Sequence, residues 1–416
     1  MMWALHVPIL FGLLYAYNRV TNGNHQLLFW ASWGFRVVMG VALGVVYLVY
    51  YQESDTWYFF ENAKSLSQAA TDNLSGYFQF LFKISDAPFW QPVIFPQERS
   101  LFLIKIVSVL ALLTGNNYWI CTLYFGLFSF LAAWHLFIVV TRYLKDSQLA
   151  AALALLWLPT AVFWSSGLVK ETLALAGIFW ITSVAIRVAN RTKVSWYQWG
   201  LSLVAVWVAW NLKYYWTALY LAVLFSTGLL LLLQSKWPRL HAYKEAWWLF
   251  IFGSVAVVAS LLHPNFHLNR ILPVIVDNHD AFVRISKPEN LIHFYNLQPG
   301  WSSILFNAPW ALVSGLFRPV VGELSGATAV AASIENLLLA VLFIAGIFKA
   351  PAKQHRLWWM VTAMYVVALC VFLALSTPNF GTLSRYRVGF LPFFVFIIAY
   401  RNPLLKFLQS RFMFRK

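Results

Sequence analysis

Apolar runs of about 15 to 25 residues recur along the whole chain, broken by short polar stretches rather than alternating residue by residue. Continuous runs of this length are the pattern of membrane-crossing helices, and they lack the in-out alternation of a transmembrane β-barrel strand. Spans are predicted near 27–51, 118–141, 149–163, 172–187, 196–211, 214–234, 246–262, 328–348, 357–375 and 386–402. A further apolar segment, about 2–17, has no cleavage-site pattern and reads as an anchor, with its crossing left open. The stretch 101–114 is short for a crossing, contains Lys105 and would break the alternation of sides. It is expected to lie in the interface on the outer side. The stretch 302–321, with Pro309 and Pro319, is expected to be re-entrant or interfacial on the same side. The fold class is therefore all-α: a polytopic helical membrane protein of about 10–11 transmembrane helices with outer interfacial helices, in a single domain over 1–416. Outer regions are expected at 52–117, 263–327 and 376–385, and a cytoplasmic tail at 403–416.

Composition excludes a soluble domain: 61% of residues are hydrophobic, 11% are charged and the mean hydropathy is +0.67. The net charge of +16 resembles a nucleic-acid signal until the charges are placed. Lys and Arg crowd into 142–146, 187–193, 236–245, 349–356 and the tail from Arg401, where the only acids are Asp146 and Glu245. These are cytoplasmic loops by the positive-inside rule, so the charge sets topology and implies no nucleic-acid partner. The span interiors look nearly free of charge apart from Arg36. Cys121 and Cys370 sit in apolar runs and give neither a disulfide framework nor metal-ligand spacing.

Candidate chemistry gathers on the outer side. Glu53 and Asp55 stand where the first span leaves the membrane and a helix is predicted from about Thr56 to Ala70. Asp55 or Ser54 suits the N-cap of that helix. The same carboxylate, held by a rigid span end, also suits a general base aimed at a lipid head group. Lys170 and Glu171 occupy an outer turn between two spans, either as a self-satisfied ion pair or as functional groups. Ser384-Arg385-Tyr386-Arg387 opens the last span, and the guanidinium fork of Arg385 or Arg387 matches phosphate oxygens, with interfacial snorkelling as the alternative. Lys213, beside Tyr214 and Tyr215, separates two spans and either holds a phosphate or marks the interface. Arg318 and Glu323 lie close to the outer boundary. His263, His267, His279 and His293 lack zinc-like pairing beyond His263 and His267, which flank Pro264, so no metal ligands are assigned and a divalent cation is left open.

The order of these elements resembles the GT-C superfamily of polyprenyl-phosphate-sugar glycosyltransferases, nearest to protein mannosyltransferases and the enzymes that add aminoarabinose to lipid A. That family carries an acidic residue in its first outer loop, in a pattern like D-E-x-x-Y-x-x-x-A. Here Asp55, Tyr58 and Ala63 occupy similar places, with the alanine one residue further from the tyrosine than in the pattern, Thr56 where the second acid often stands, and Glu53 as a candidate substitute for that acid. Glu171 falls where a second outer acid commonly follows, and Arg385-Tyr386-Arg387 before Pro392 looks like motifs near the lipid-phosphate site. The resemblance implies inverting transfer of a sugar from a polyprenyl-phosphate donor to a hydroxyl of a lipid, glycan or protein acceptor. Asp55 would be the base, Glu171 would position the acceptor or orient Lys170, and Lys170, Lys213 and Arg385 or Arg387 would offset phosphate charge. Alternatives are an oligosaccharide polymerase or ligase using a polyprenyl-diphosphate donor, and a secondary transporter or flippase. Uncharged span interiors and the absence of a visible repeat count against the transporter. Short loops favour a bacterial plasma (inner) membrane, with the site on its extracytoplasmic face.

Overall fold

The computed structural model describes residues 2–21, 25–51, 55–83, 89–90, 97–262, 267–324, 326–347 and 355–412. Among them there is no sheet, only an isolated antiparallel bridge between Leu291 and Asn379. In chain order the first helices are α1 (Met2–Thr21), α2 (Gln26–Val49), α3 (Thr56–Asp72), α4 (Leu74–Leu81), α5 (Glu98–Leu113) and α6 (Tyr118–Tyr143). Then come α7 (Gln148–Ala152), a π-helical turn Leu153–Trp157, α8 (Pro159–Trp164), α9 (Lys170–Ala189), α10 (Trp196–Lys236) and α11 (Lys244–Leu262). The last are α12 (Leu268–Ile285), α13 (Trp301–Phe317), α14 (Ala327–Gly346), α15 (Arg356–Ser376), α16 (Phe380–Tyr386), α17 (Leu391–Ala399) and α18 (Pro403–Phe412).

Among the described residues, seven helices are long and apolar enough to cross a membrane: α2, α6, α9, α10, α11, α14 and α15. The segments 380–389 and 391–399, bent by 69°, make an eighth if they form one broken span. The predicted crossing at 149–163 is instead divided into α7, the π turn and α8, because Pro159 opens α8 and cannot continue the preceding hydrogen-bond ladder.

The predicted spans 196–211 and 214–234 share one 41-residue element, α10. Straight, it would be about 60 Å long, twice the apolar thickness of a bilayer. It doubles back at Lys213, whose backbone leaves the helical region (φ −140°, ψ 66°). The reversal follows from α9: Trp180 donates to Ser202 at 3.2 Å, and Thr182 hydrogen-bonds Tyr220 at 2.5 Å. Residues 202 and 220 reach the same turn of α9 only if the chain turns round between them. The first arm lies so close to α9 that a Cβ on Gly177 would stand 2.8 Å from the Ala205 carbonyl oxygen. Small residues at such crossings let backbones approach. Gly177→Ala is expected to lower stability by about 1–3 kcal/mol, read as a lower thermal unfolding midpoint of the purified protein.

The two ends of the bundle differ in charge. At the basic end, Arg401 donates to Asp146 at 2.8 Å, Tyr143 hydrogen-bonds Thr192 at 2.5 Å and the Tyr400 hydroxyl donates to the Lys145 carbonyl at 3.1 Å. At the opposite, carboxylate end, α3, α4 and α5 form a layer over the spans. Lys105 is buried there and donates to the carbonyls of Phe80 and Leu81 at the end of α4, which explains a lysine inside an apolar stretch. α13 is re-entrant in form, since both its flanks lie at this end. Ile292, before it, donates its backbone N–H to Pro378 O at 2.9 Å, and Gly326, after it, sits beside the Tyr50 hydroxyl.

The interior holds more charge than the sequence pattern predicts. Arg36 is buried and donates to Ser129 Oγ (2.7 Å), Ser165 O (3.0 Å) and Ser165 Oγ (3.1 Å). It thereby fixes the turn between α8 and α9. Glu335, within α14, accepts the Thr160 N–H at the start of α8 at 2.8 Å and stands 3.8 Å from buried Arg387. The expectation of spans nearly free of charge apart from Arg36 thus misses buried Glu335 and Arg387. A helix start and a guanidinium supply partners that no local pattern reveals.

Candidate functional site

Six separated segments meet at the carboxylate end: the α2–α3 junction, the start of α5, the start of α9, the reversal in α10, one side of α12 and the turn after α15. They enclose a cavity of about 660 Å³ whose wall includes Asp55, Tyr58, Arg99, Lys170, Lys213 and Arg385.

Asp55 occupies the N-cap position of α3 but does not cap it with its side chain. Its backbone is in the left-handed region (φ 47°), uncommon outside glycine though more accessible to Asp than to most residues. That conformation turns the carboxylate away from the helix start. Oδ2 instead accepts from Arg385 Nη1 at 2.5 Å and from the Tyr47 hydroxyl at 3.3 Å. The capping role expected for Asp55 is thus replaced by an ion pair across the fold. Ser54 and Glu53 lie outside the described residues.

Glu171 is the hub behind the cavity wall and is fully buried. Oε1 lies 2.6 Å from Lys213 Nζ and 2.9 Å from Arg385 Nε. Arg385 therefore bridges the two carboxylates, and the non-helical backbone at Lys213 is what brings its ammonium to Glu171. Lys213 also lies 3.7 Å from the centre of the Tyr386 ring, favourable because the ring face is electron-rich. The self-satisfied Lys170–Glu171 pair is not formed: Lys170 donates to Ser100 Oγ at 2.8 Å and stands 5.2 Å from the Phe59 ring centre.

Arg387 and Arg318 are not in the cavity wall. Arg387 points to the other side of its turn and donates to Asn336 Oδ1 at 2.7 Å. Arg318 is bound to Glu323 and lies over the rings of Trp310 and Phe380. Two residues apart on a tight turn, Arg385 and Arg387 cannot face the same way, so only Arg385 of the expected pair joins the site. Arg99 and Tyr47 belong to the site and sequence reasoning did not single them out. The Arg99 guanidinium sits 4.4 Å from the Tyr214 ring centre. Among the described residues neither Arg99 nor Lys170 has a salt-bridged carboxylate, so the wall and its hub carry four cations against Asp55 and Glu171. Burial raises the Tyr58 phenol above its ordinary value.

Such a wall is suited to an anion bearing more than one charge, set against a carboxylate whose side chain is 42% exposed. Among the described residues no three His, Cys, Asp or Glu groups are placed to share a metal ion, and His263 falls outside them. Comparison of the chain with protein-family models, curated proteins and solved structures finds no match in any of the three.

Proposed function

We propose that this chain is a membrane glycosyltransferase of the GT-C type, moving a sugar from a polyprenyl-phosphate donor to an acceptor hydroxyl with inversion. The observation that carries the reading is the convergence of an accessible carboxylate and four cations on one cavity at the membrane boundary. In the proposed reaction Asp55 takes the hydroxyl proton through Oδ1, the oxygen that Arg385 and Tyr47 leave open. The acceptor oxygen then attacks the anomeric carbon. The bond from that carbon to the phosphate oxygen breaks, and its electron pair leaves with the lipid phosphate. Lys170, Lys213 and Arg385 offset the charge that develops there, and Arg99 holds the phosphate alike in ground and transition states. Glu171 positions Lys213 and Arg385 rather than Lys170. The basic end faces the cytoplasm of a bacterial inner membrane, and the cavity opens on the extracytoplasmic side.

A second reading keeps the site and exchanges the donor for a polyprenyl-diphosphate oligosaccharide, as in a polymerase or ligase. Two cations without salt-bridged carboxylates, Arg99 and Lys170, favour it. The deciding experiment gives the protein in lipid nanodiscs radiolabelled polyprenyl-phosphate sugars and polyprenyl-diphosphate oligosaccharides. Consumption of the monophosphate donor is expected. Consumption of the diphosphate donor alone would select the second reading, and turnover of neither would overturn both. With the active donor, Arg99→Ala is expected to raise KM about tenfold while kcat holds, as for loss of one charge-assisted contact made equally in ground and transition states.

A further inference from the structure

A second cavity of about 640 Å³ lies at the basic end, between α6, α9, the second arm of α10, α15 and α17. It is separate from the first. The walls of the outer cavity end at Tyr215 and Phe372, and those of the inner one begin at Tyr220 and Tyr365. Between them Trp216 is fully buried and packs against Gly389, where a Cβ would come within 2.6 Å of the indole.

The inner cavity divides sharply by chemistry. In its deep half the hydroxyls are satisfied by the protein: Thr182 and Tyr220 bond each other at 2.5 Å, and Tyr365 donates to Gly389 O at 3.0 Å. The remaining deep wall is hydrocarbon and aromatic, including Val223, Leu224, Val361 and Phe393. A polar solute would find nothing there to replace its water. The mouth is different, because Lys145, His355 and Arg401 stand at it. Arg401 is held by Asp146, while exposed Lys145 has no salt bridge among the described residues.

We propose that this cavity binds an anionic glycerophospholipid of the adjacent leaflet, with an acyl chain between α10 and α15 and the phosphate at Lys145 and Arg401. The volume lies in the range of small-molecule sites, about 300–1,000 Å³. An apolar depth below a cationic rim matches a hydrocarbon chain ending in a phosphate and matches neither a sugar nor a neutral lipid head. This assignment is independent of the reaction proposed for the other cavity.

The test uses the full chain in phosphatidylcholine nanodiscs containing trace phosphatidylglycerol with a photoactivatable acyl chain, or the matching phosphatidylcholine probe. The phosphatidylglycerol probe is expected to label peptides of α9, α10 and α15 about fivefold more than the phosphatidylcholine probe, the weight of one basic residue near an anionic head group. Lys145→Glu, on the surface, should remove that preference, and Leu224→Trp, filling the groove, should reduce labelling by both probes. Equal labelling by the two probes, or labelling unchanged by Lys145→Glu, would overturn the proposal. Lys145→Glu alone decides the matter if Leu224→Trp does not fold.

Discussion

Asp55→Asn is expected to lower sugar transfer about 10²–10⁴-fold, the range for a positioned general base, while the protein stays folded. The amide has the shape of the carboxylate and still accepts a hydrogen bond from Arg385. Arg385 in turn keeps Glu171 at 2.9 Å, so no buried cation is stranded. The substituted side chain is 42% exposed, which limits any desolvation cost. Initial rates at saturating donor, measured beside the thermal midpoint, separate lost chemistry from lost structure. A folded Asp55→Asn protein working at the wild-type rate would remove Asp55 from the proposed mechanism.

Glu171→Ala should act mainly on stability, at a cost of about 3–5 kcal/mol, because removing one partner of a buried ion pair leaves its counter-charge uncompensated. Here two cations lose their partner, Lys213 and Arg385, and the carboxylate they share is fully buried. Arg385 retains Asp55 and Lys213 retains the Tyr386 ring, so the larger penalty falls on Lys213. Lys213→Met placed on the Glu171→Leu background should therefore cost less than the two single changes added together. Thermal unfolding midpoints of the single and double variants in one detergent give the coupling directly. Strict additivity would mean that the two side chains do not share their energy as the geometry requires.

The helical membrane architecture was legible in the sequence because lipid leaves the backbone few options, and long apolar runs declare themselves. The reversal at Lys213 was legible too, since a charged residue between two apolar runs marks where a span ends. Breaks inside runs were less visible: Pro159 signals one, but the π turn before it has no distinct composition. The site was legible as residue types on one side, and Asp55, Tyr58, Glu171, Lys170, Lys213 and Arg385 do meet. Their partners were not legible, because pairing across the bundle depends on distances that chain order does not encode. Adjacent Lys170 and Glu171 look like a pair and are not one, whereas Glu171 and Arg385 look unrelated and are joined. Glu335 stands in the sequence as a lone acid inside an apolar run, but its neighbours, a backbone N–H at the start of α8 and Arg387, cannot be read from chain order. Arg99 carries no motif, and only its place beside Tyr214 identifies it.

The contact between Asp55 and Arg385 joins residues 330 positions apart. During synthesis α9 precedes the reversal in α10, so Glu171 is already present when Lys213 needs a counter-charge. Asp55 has the nearby Tyr47 hydroxyl but no such early counter-charge. It waits through the insertion of every intervening helix until the turn after α15 docks, and only then is the constellation complete. A nascent chain released before that turn would hold most of its helices and the Glu171–Lys213 pair but not the bridge to Asp55, so the finished carboxylate–guanidinium pair doubles as a record that the chain was inserted as far as Arg385.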